Sequence, residues 1–193
     1  MADASALEAR ISRAVDDSRD RTVQLLQSFV QARSVTGAEG AMGARAAEAF
    51  RERHLNVDTW VATAVEMRDY LEHVGEQPSY DGRTNVAGRL KGSGGGRSIL
   101  LNAHIDTVPE GDHRLWTKPP FGADLIRGRL YGRGSCDMKG GLVTHLAALD
   151  ALAACGVHLK GDVTVTATVG EEDGGLGALS TVLRGYRADA ALV

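Results

Sequence analysis

Ser98-Ile99-Leu100-Leu101-Asn102-Ala103-His104-Ile105 is an apolar run that turns polar as it ends. Its length and its Ile99-Leu100-Leu101 centre predict a buried strand. Downstream, Met138 to Cys155 reads as a helix closed by Gly156, the usual place for a glycine just past a helix end. A second strand is predicted over Asp162 to Val169, where Val and Thr predominate. Strand, helix and strand in succession imply an α/β architecture with a largely parallel or mixed sheet.

Working outward, Leu7, Ile11, Val15, Thr22, Leu25, Leu26, Phe29 and Val30 recur mostly three or four apart, which is helical spacing with a break near Asp16-Asp17-Ser18. After a loop at Ser34-Val35-Thr36-Gly37, Glu39 to His54 reads as a helix and Leu55 to Val65 as a strand. Glu66 to Arg83 has no clear period and contains Gly75, Pro78 and Gly82, so a loop is expected. Asn85 to Leu90 is a strand candidate, and Lys91 to Arg97 is expected to be a hairpin turn into the Ser98 strand. Its glycines do not make a phosphate loop, because neither a Walker lysine nor a helix follows. A small hairpin is expected around Arg127-Gly128-Arg129 and a short helix over Leu176 to Leu183. Ala190 to Val193 reads as the start of another core strand, and a chain stopping there suggests a piece of a longer one.

With 193 residues, 43% hydrophobic, 24% charged and a net charge of −3, the chain reads as a soluble globular domain. Disorder, a collagen-like chain and a strongly basic nucleic-acid binder are excluded. Cys136 and Cys155 do not make a disulfide framework, which suits a reducing compartment. The segment Met1 to Arg10 lacks the apolar core of a signal peptide, and no later run approaches the ~18 apolar residues of a membrane span. The expected location is the cytoplasm, with neither nucleic acid nor membrane as a partner.

Three polar clusters fall at strand ends. In Asn102 to Pro109, His104 and Asp106 lie two apart and would share a face, so Asp106 could orient the imidazole of a metal-binding His104. The plainer alternative is an Asx turn before Pro109. In Tyr131 to Gly141, Asp137 sits at a helix start after two glycines, either as an ordinary N-cap or as a carboxylate able to bridge two cations. In Val169 to Gly175, Glu171-Glu172-Asp173 either form a solvated loop capping the next helix or gain from a cation that relieves their repulsion. Open α/β sheets place sites at the C-terminal ends of strands, and histidine with carboxylates suits zinc or another divalent metal.

These residues resemble the metallopeptidase and deacylase family of acetylornithine deacetylase, succinyl-diaminopimelate desuccinylase, aminoacylase and carboxypeptidase G. The resemblance rests on Leu100 to Pro109, Trp116-Thr117-Lys118-Pro119-Pro120-Phe121, Leu130 to Gly134, Asp137-Met138-Lys139-Gly140-Gly141 and Glu171-Glu172, in one order across roughly residues 20 to 193. It implies a zinc-exopeptidase-like three-layer catalytic domain with a mixed central sheet, truncated at its C-terminus. It also implies two zinc ions per complete site, with cobalt a possible substitute. His104 would bind one ion, Asp137 would bridge the pair and Glu172 would bind the other. Asp106 would orient His104, and Glu171 would be the general base. The implied reaction is hydrolysis of an amide in an N-acyl amino acid or small peptide.

Family members are longer. They carry a further acidic ligand after the strand that begins at Ala190, a histidine ligand near their C-terminus, and an inserted dimerisation domain. Residues 1–193 are therefore expected to be the N-terminal portion of the catalytic domain, with homodimerisation belonging to the full-length form. Such a portion is expected to bind metal poorly and hydrolyse little. The rival reading is a truncated or decayed copy that keeps the fold as a non-catalytic binding module. Cys136 has no histidine nearby in sequence to make it a nucleophile. His113 and Arg114 read as exposed loop residues, and His145 as structural or exposed on the helix after Asp137. His54, His73 and His158 offer nothing specific.

Overall fold

A computed structural model describes residues 2–75, 77 and 79–193; Met1, Glu76 and the Pro78 of the expected loop lie outside the described residues. The chain opens with two helices, α1 (Ala2–Asp17) and α2 (Arg19–Gln31), divided where the sequence predicts a break. Ser18 makes the break, its hydroxyl donating to the Val15 carbonyl three residues back. Then come α3 (Gly40–Glu52) and β1 (Asn56–Val61). The strand expected over Leu55 to Val65 ends at Val61, and its last residues with the expected loop form two one-turn helices, α4 (Ala64–Met67) and α5 (Leu71–Val74), joined by a 3₁₀ turn. A capping box between Thr63 and Glu66 starts α4, and Met67 and Val74 are buried in a small satellite core with Ala62 and Leu176. Four residues are too few to show a period, so these helices were not legible as such.

The remaining elements are β2 (Thr84–Leu90), β3 (Ile99–His104), the hairpin β4 (Asp124–Ile126) and β5 (Arg129–Tyr131), α6 (Lys139–Ala154), β6 (Val163–Thr168), α7 (Leu176–Leu183) and β7 (Ala190–Leu192). Five strands form one mixed sheet in the order β1-β2-β6-β3-β7. β2 runs antiparallel to β1 and β6, while β3 runs parallel to β6 and β7.

This order corrects two expectations. β2 and β3 are not a hairpin, because β6 lies between them. The segment Lys91 to Arg97 instead crosses the start of β6, with Ser93 and Gly94 N–H donating to the Leu159 and Lys160 carbonyls. A Cβ on Gly92 or Gly96 would run into the main chain of Lys160 and Gly161, so the crossing needs glycine at both. β7, expected in the core, pairs only with β3 at the sheet edge, and its three residues are exposed.

Alternation in the strands divides the molecule into layers. Val86, Leu101, Ala103, Val165 and Ala167 meet Phe29, Met42, Phe50, Leu142 and Leu146 from α2, α3 and α6 on one face. The opposite face carries Asn102, Thr166 and Thr168, with Asn102 Oδ1 accepting from the Thr166 hydroxyl at 2.8 Å. α7 packs on that side, where the Trp60 indole donates to Ser180 at 2.9 Å. The parallel pair β3 and β6 ends at one edge, where Ile105 N–H extends the ladder to the Thr168 carbonyl at 2.8 Å.

Candidate metal centre

His104 is the last residue of β3 and is 3% exposed, because its neighbours on β6 and the following loop close over it. Its Nδ1 lies 3.0 Å from the main-chain carbonyl of Asp106, which fixes Nδ1 as the donor and leaves Nε2 facing outward. The Asp106 carbonyl is the nearer partner of the ring, and its carboxylate Oδ1 stands at 3.4 Å from Nδ1. The Asp106 carboxylate is fully buried and reaches across to the turn after β6. It accepts the N–H groups of Glu171 and Glu172, each at 3.1 Å, and the Thr36 hydroxyl at 3.0 Å. It is therefore no local Asx turn.

The loop Gly132 to Met138 brings Asp137 to the same place. The N-cap position of α6 is Met138 and its side chain makes no capping bond. Asp137 lies one residue earlier and points to His104, with Oδ1 2.9 Å from Nε2. The acidic run after β6 does not cap α7 either: Gly175 holds that position with no side-chain bond. Glu171 places Oε2 3.7 Å from His104 Nε2, with 55% of its side chain exposed. One donor atom each from His104, Asp137 and Glu172 lies within 4.8 Å of the other two. So the structure brings together His104, Asp137 and Glu172, the expected ligands, with Asp106, expected to orient His104, and Glu171, the expected general base.

The electrostatics are those of a centre rich in negative charge. Burial opposes a proton on His104, but the Asp106 carboxylate beside it, with Asp137 and Glu171, pushes its pKa up to about 9. Burial, and then the charge of Asp137, raise the Glu172 carboxyl above its ordinary range. Asp106 goes the other way: burial is outweighed by His104 and the two amide N–H groups, so its pKa falls. A buried imidazole and two converging carboxylates suit a divalent cation, since ligand atoms 2.0–2.2 Å from an ion can be at most about 4.4 Å apart across it, and two bridged ions span more. The donor atoms here all lie within 4.8 Å of one another, and His104 Nε2 and Asp137 Oδ1 are 2.9 Å apart.

Nothing in the sequence marks Lys139 as a buried residue. Its ammonium is fully buried and donates to the Phe29 and Ala32 carbonyls at 2.9 and 2.8 Å, tying the end of α2 to the start of α6 two residues after Asp137. Burial lowers its pKa to about 8. A lysine in the first turn of a helix gives no sequence signal that it will turn inward. Cys136 is exposed, and beside Asp137 and Glu172 it lines a cleft of about 290 Å³ that also takes in Arg133. The Arg133 guanidinium stacks over Trp116 at 5.1 Å. His145 is buried, without a partner for Nδ1, and stands apart from the cluster.

A buried histidine and converging acids thus lie at the C-terminal edge of a parallel strand pair in a mixed α/β domain. Residues 100–193 match the profile described as Peptidase family M20/M25/M40, which makes this stretch of the chain an M20 family domain. It is 41% identical over 133 residues to the N-formyl-4-amino-5-aminomethyl-2-methylpyrimidine deformylase of Halalkalibacterium halodurans, covering 66% of this chain and 31% of that one. It is 35% identical over 123 residues to the succinyl-diaminopimelate desuccinylase of Rhodospirillum centenum, covering 61% of this chain and 31% of that one. The chain thus spans about a third of the length of the curated relatives it matches. Its fold is that of human carnosine dipeptidase 1, with a TM-score of 0.71, 20% identity, and coverage of 92% of this chain and 38% of that one. An M20 family metallo-carboxypeptidase from Sulfolobus solfataricus superposes with a TM-score of 0.70 and 19% identity, over 89% of this chain and 36% of that one. No helix among the described residues is long and apolar enough to cross a membrane.

Proposed function

We propose that this chain is the N-terminal portion of the catalytic domain of a metal-dependent amide hydrolase acting on an N-acyl amino acid or small peptide. The observation that carries the reading is the convergence of His104, Asp137 and Glu172 within 4.8 Å at the edge where β3 and β6 end. Zinc, with cobalt as a possible substitute, fits the nitrogen and carboxylate donors, two ions to the complete site. When bound, such ions polarise the amide carbonyl and favour deprotonation of water. The residues divide the remaining work. His104 would hold one ion, Glu172 the other and Asp137 would serve both, while the Asp106 carbonyl keeps the imidazole in the tautomer that frees Nε2. Glu171 stands beside them, its Oε2 3.7 Å from His104 Nε2 and its side chain about half exposed to solvent. It accepts the proton of the attacking water and passes it to the leaving amine, the usual task of a positioned carboxylate.

The similarity to a deformylase and a desuccinylase supports an acyl group on an amine as the substrate class. A reducing compartment, the cytoplasm, agrees with two free cysteines. Three protein donors are fewer than two ions require, so the isolated chain binds cations weakly and the longer enzyme supplies further ligands. Cobalt titration followed by visible absorption tests the reading. A band that grows into the millimolar range and disappears in His104→Ala is expected. No band at millimolar cobalt, or a band indifferent to His104→Ala, overturns it.

A further inference from the structure

The turn that carries Glu171 and Glu172 rests on a buried ionic platform. Arg83 precedes β2, and its side chain is 2% exposed. Its Nη2 and Nε donate to Glu39 at 2.9 and 3.1 Å, and its Nη1 to Gln77 Oε1 at 2.6 Å. Glu39 is completely buried; it occupies the N-cap position of α3 yet caps nothing, its carboxylate being turned inward to the guanidinium. Gln77 relays the contact, donating to the Val74 carbonyl at 2.9 Å and to the Asp173 carbonyl at 3.4 Å. The same Nη2 that bonds Glu39 also lies against Gly170, where a Cβ would stand 2.8 Å from it. The platform thus touches the turn on both sides of the two glutamates, at Gly170 and at Asp173. From the opposite side, Asp106 holds the N–H groups of Glu171 and Glu172.

We propose that Arg83, fixed by Glu39 and Gln77, is a positioning residue that sets the two adjacent glutamates against His104 and Asp137, a role that rests on the metal-centre reading above. It acts through main chain alone, since its bonds go to Glu39 and Gln77 and not to either glutamate side chain. The physical need is clear. Two neighbouring carboxylates repel each other and Asp137, and Asp106 adds a fourth negative charge. A main chain anchored on one side only would let them part. A buried ion pair adds little net stability over apolar residues of the same shape, so its effect is better sought in geometry.

Two variants separate positioning from simple support. Arg83→Lys keeps a charge for Glu39 but loses the fork that reaches Gln77. The double variant Glu39→Leu/Arg83→Met fills the space without charge. Amide hydrogen exchange is read at Glu171 and Glu172 and at Leu101 and Val165 in the sheet, and cobalt is titrated in parallel. Expected for both variants is exchange at least tenfold faster at the two glutamates, sheet amides within twofold of the parent chain, and a cobalt midpoint raised tenfold or more. Acceleration alike at all four amides, or none at the glutamates, overturns the proposal. If the parent chain shows no cobalt band, the metal reading falls, while the exchange pattern still decides whether Arg83 orders the turn.

Discussion

Two charge clusters share one face of the sheet and are built on opposite plans. Asp58 pairs across the strands with Ala87, then Thr166, then Asn102, so it lies on the same face as His104, two residues further along β3. At Asp58 the charges close on themselves. Its carboxylate accepts Arg184 Nε and Nη2 at 2.7 and 2.9 Å and the Tyr186 hydroxyl at 2.8 Å. Arg184 lies 5.0 Å over Trp60, against which Tyr186 is stacked. Arg184 draws the Asp58 carboxyl below its ordinary range, while burial and Asp58 push Tyr186 up to about 12. At His104 one imidazole faces Asp106, Asp137 and Glu171, with Glu172 alongside. A balanced cluster needs no further partner. A surplus of acid draws a cation, and in its place the imidazole takes up a proton.

The largest effect that this difference predicts is on cation binding. Asp137→Ala should abolish the cobalt band across the millimolar range in a spectroscopic titration, because it removes one of the three converging donors. Asp58→Asn should change cobalt binding less than twofold. Equal losses in the two variants would mean that the clusters do not differ as argued. Asp106→Asn comes next. Partners behind a ligand histidine typically govern about 10–100-fold in affinity, and the same range is expected here. In a longer polypeptide that carries the remaining ligands, Glu171→Gln should lower amide turnover by about 10²-fold or more with little change in cobalt binding.

The clusters should also respond to opposite ends of the pH scale. In chelator-treated protein the folded-state pKa of His104 is raised to about 9 from an ordinary 6.5. Its stabilising contribution is then complete below the unfolded value and lost as pH rises from about 6.5 through 9. Asp58 has a lowered folded-state pKa, so its contribution is present above the unfolded value and lost as pH falls through the folded one. Denaturant unfolding from pH 3 to 10 should show the alkaline loss flattened in His104→Gln and the acid loss flattened in Asp58→Asn. Saturating cobalt should remove only the alkaline loss.

The sequence made the site more legible than its supports. His104, Asp137 and Glu172 fall at element ends, where a strand or helix pattern stops at a chemically distinctive residue. The strands β3 and β6 were readable because apolar or β-branched runs leave few alternatives. The strand order was not: Lys91 to Arg97 has hairpin chemistry, and only the contact of Gly92 and Gly96 with Lys160 and Gly161 shows the chain crossing β6. Lys139, Arg83 and Glu39 were illegible for a different reason. Each is a charged residue in a setting that normally faces water, and its burial depends on carbonyls or counter-charges distant in sequence. Local pattern carries no information about such partners.

The smallest effect tests whether the balanced cluster is as self-contained as its geometry suggests. The side chains of Arg184 and Asp58 are 42% and 38% exposed, so water screens their attraction. Exposed pairs of this kind contribute about 0.2–1 kcal/mol, and the stacking over Trp60 about 0.5–1 kcal/mol at an exposed position. Arg184→Met keeps much of the apolar stem and should cost about 1 kcal/mol in urea unfolding at neutral pH. Because Tyr186 still bonds Asp58, the carboxylate keeps a partner and does not become an orphaned charge. Cobalt binding at His104 should be unchanged. A loss several times larger, or a shift in the cobalt midpoint, would show that α7 transmits strain from Arg184 to the Glu171–Glu172 turn that precedes it, and the two clusters would then have to be treated as one coupled system.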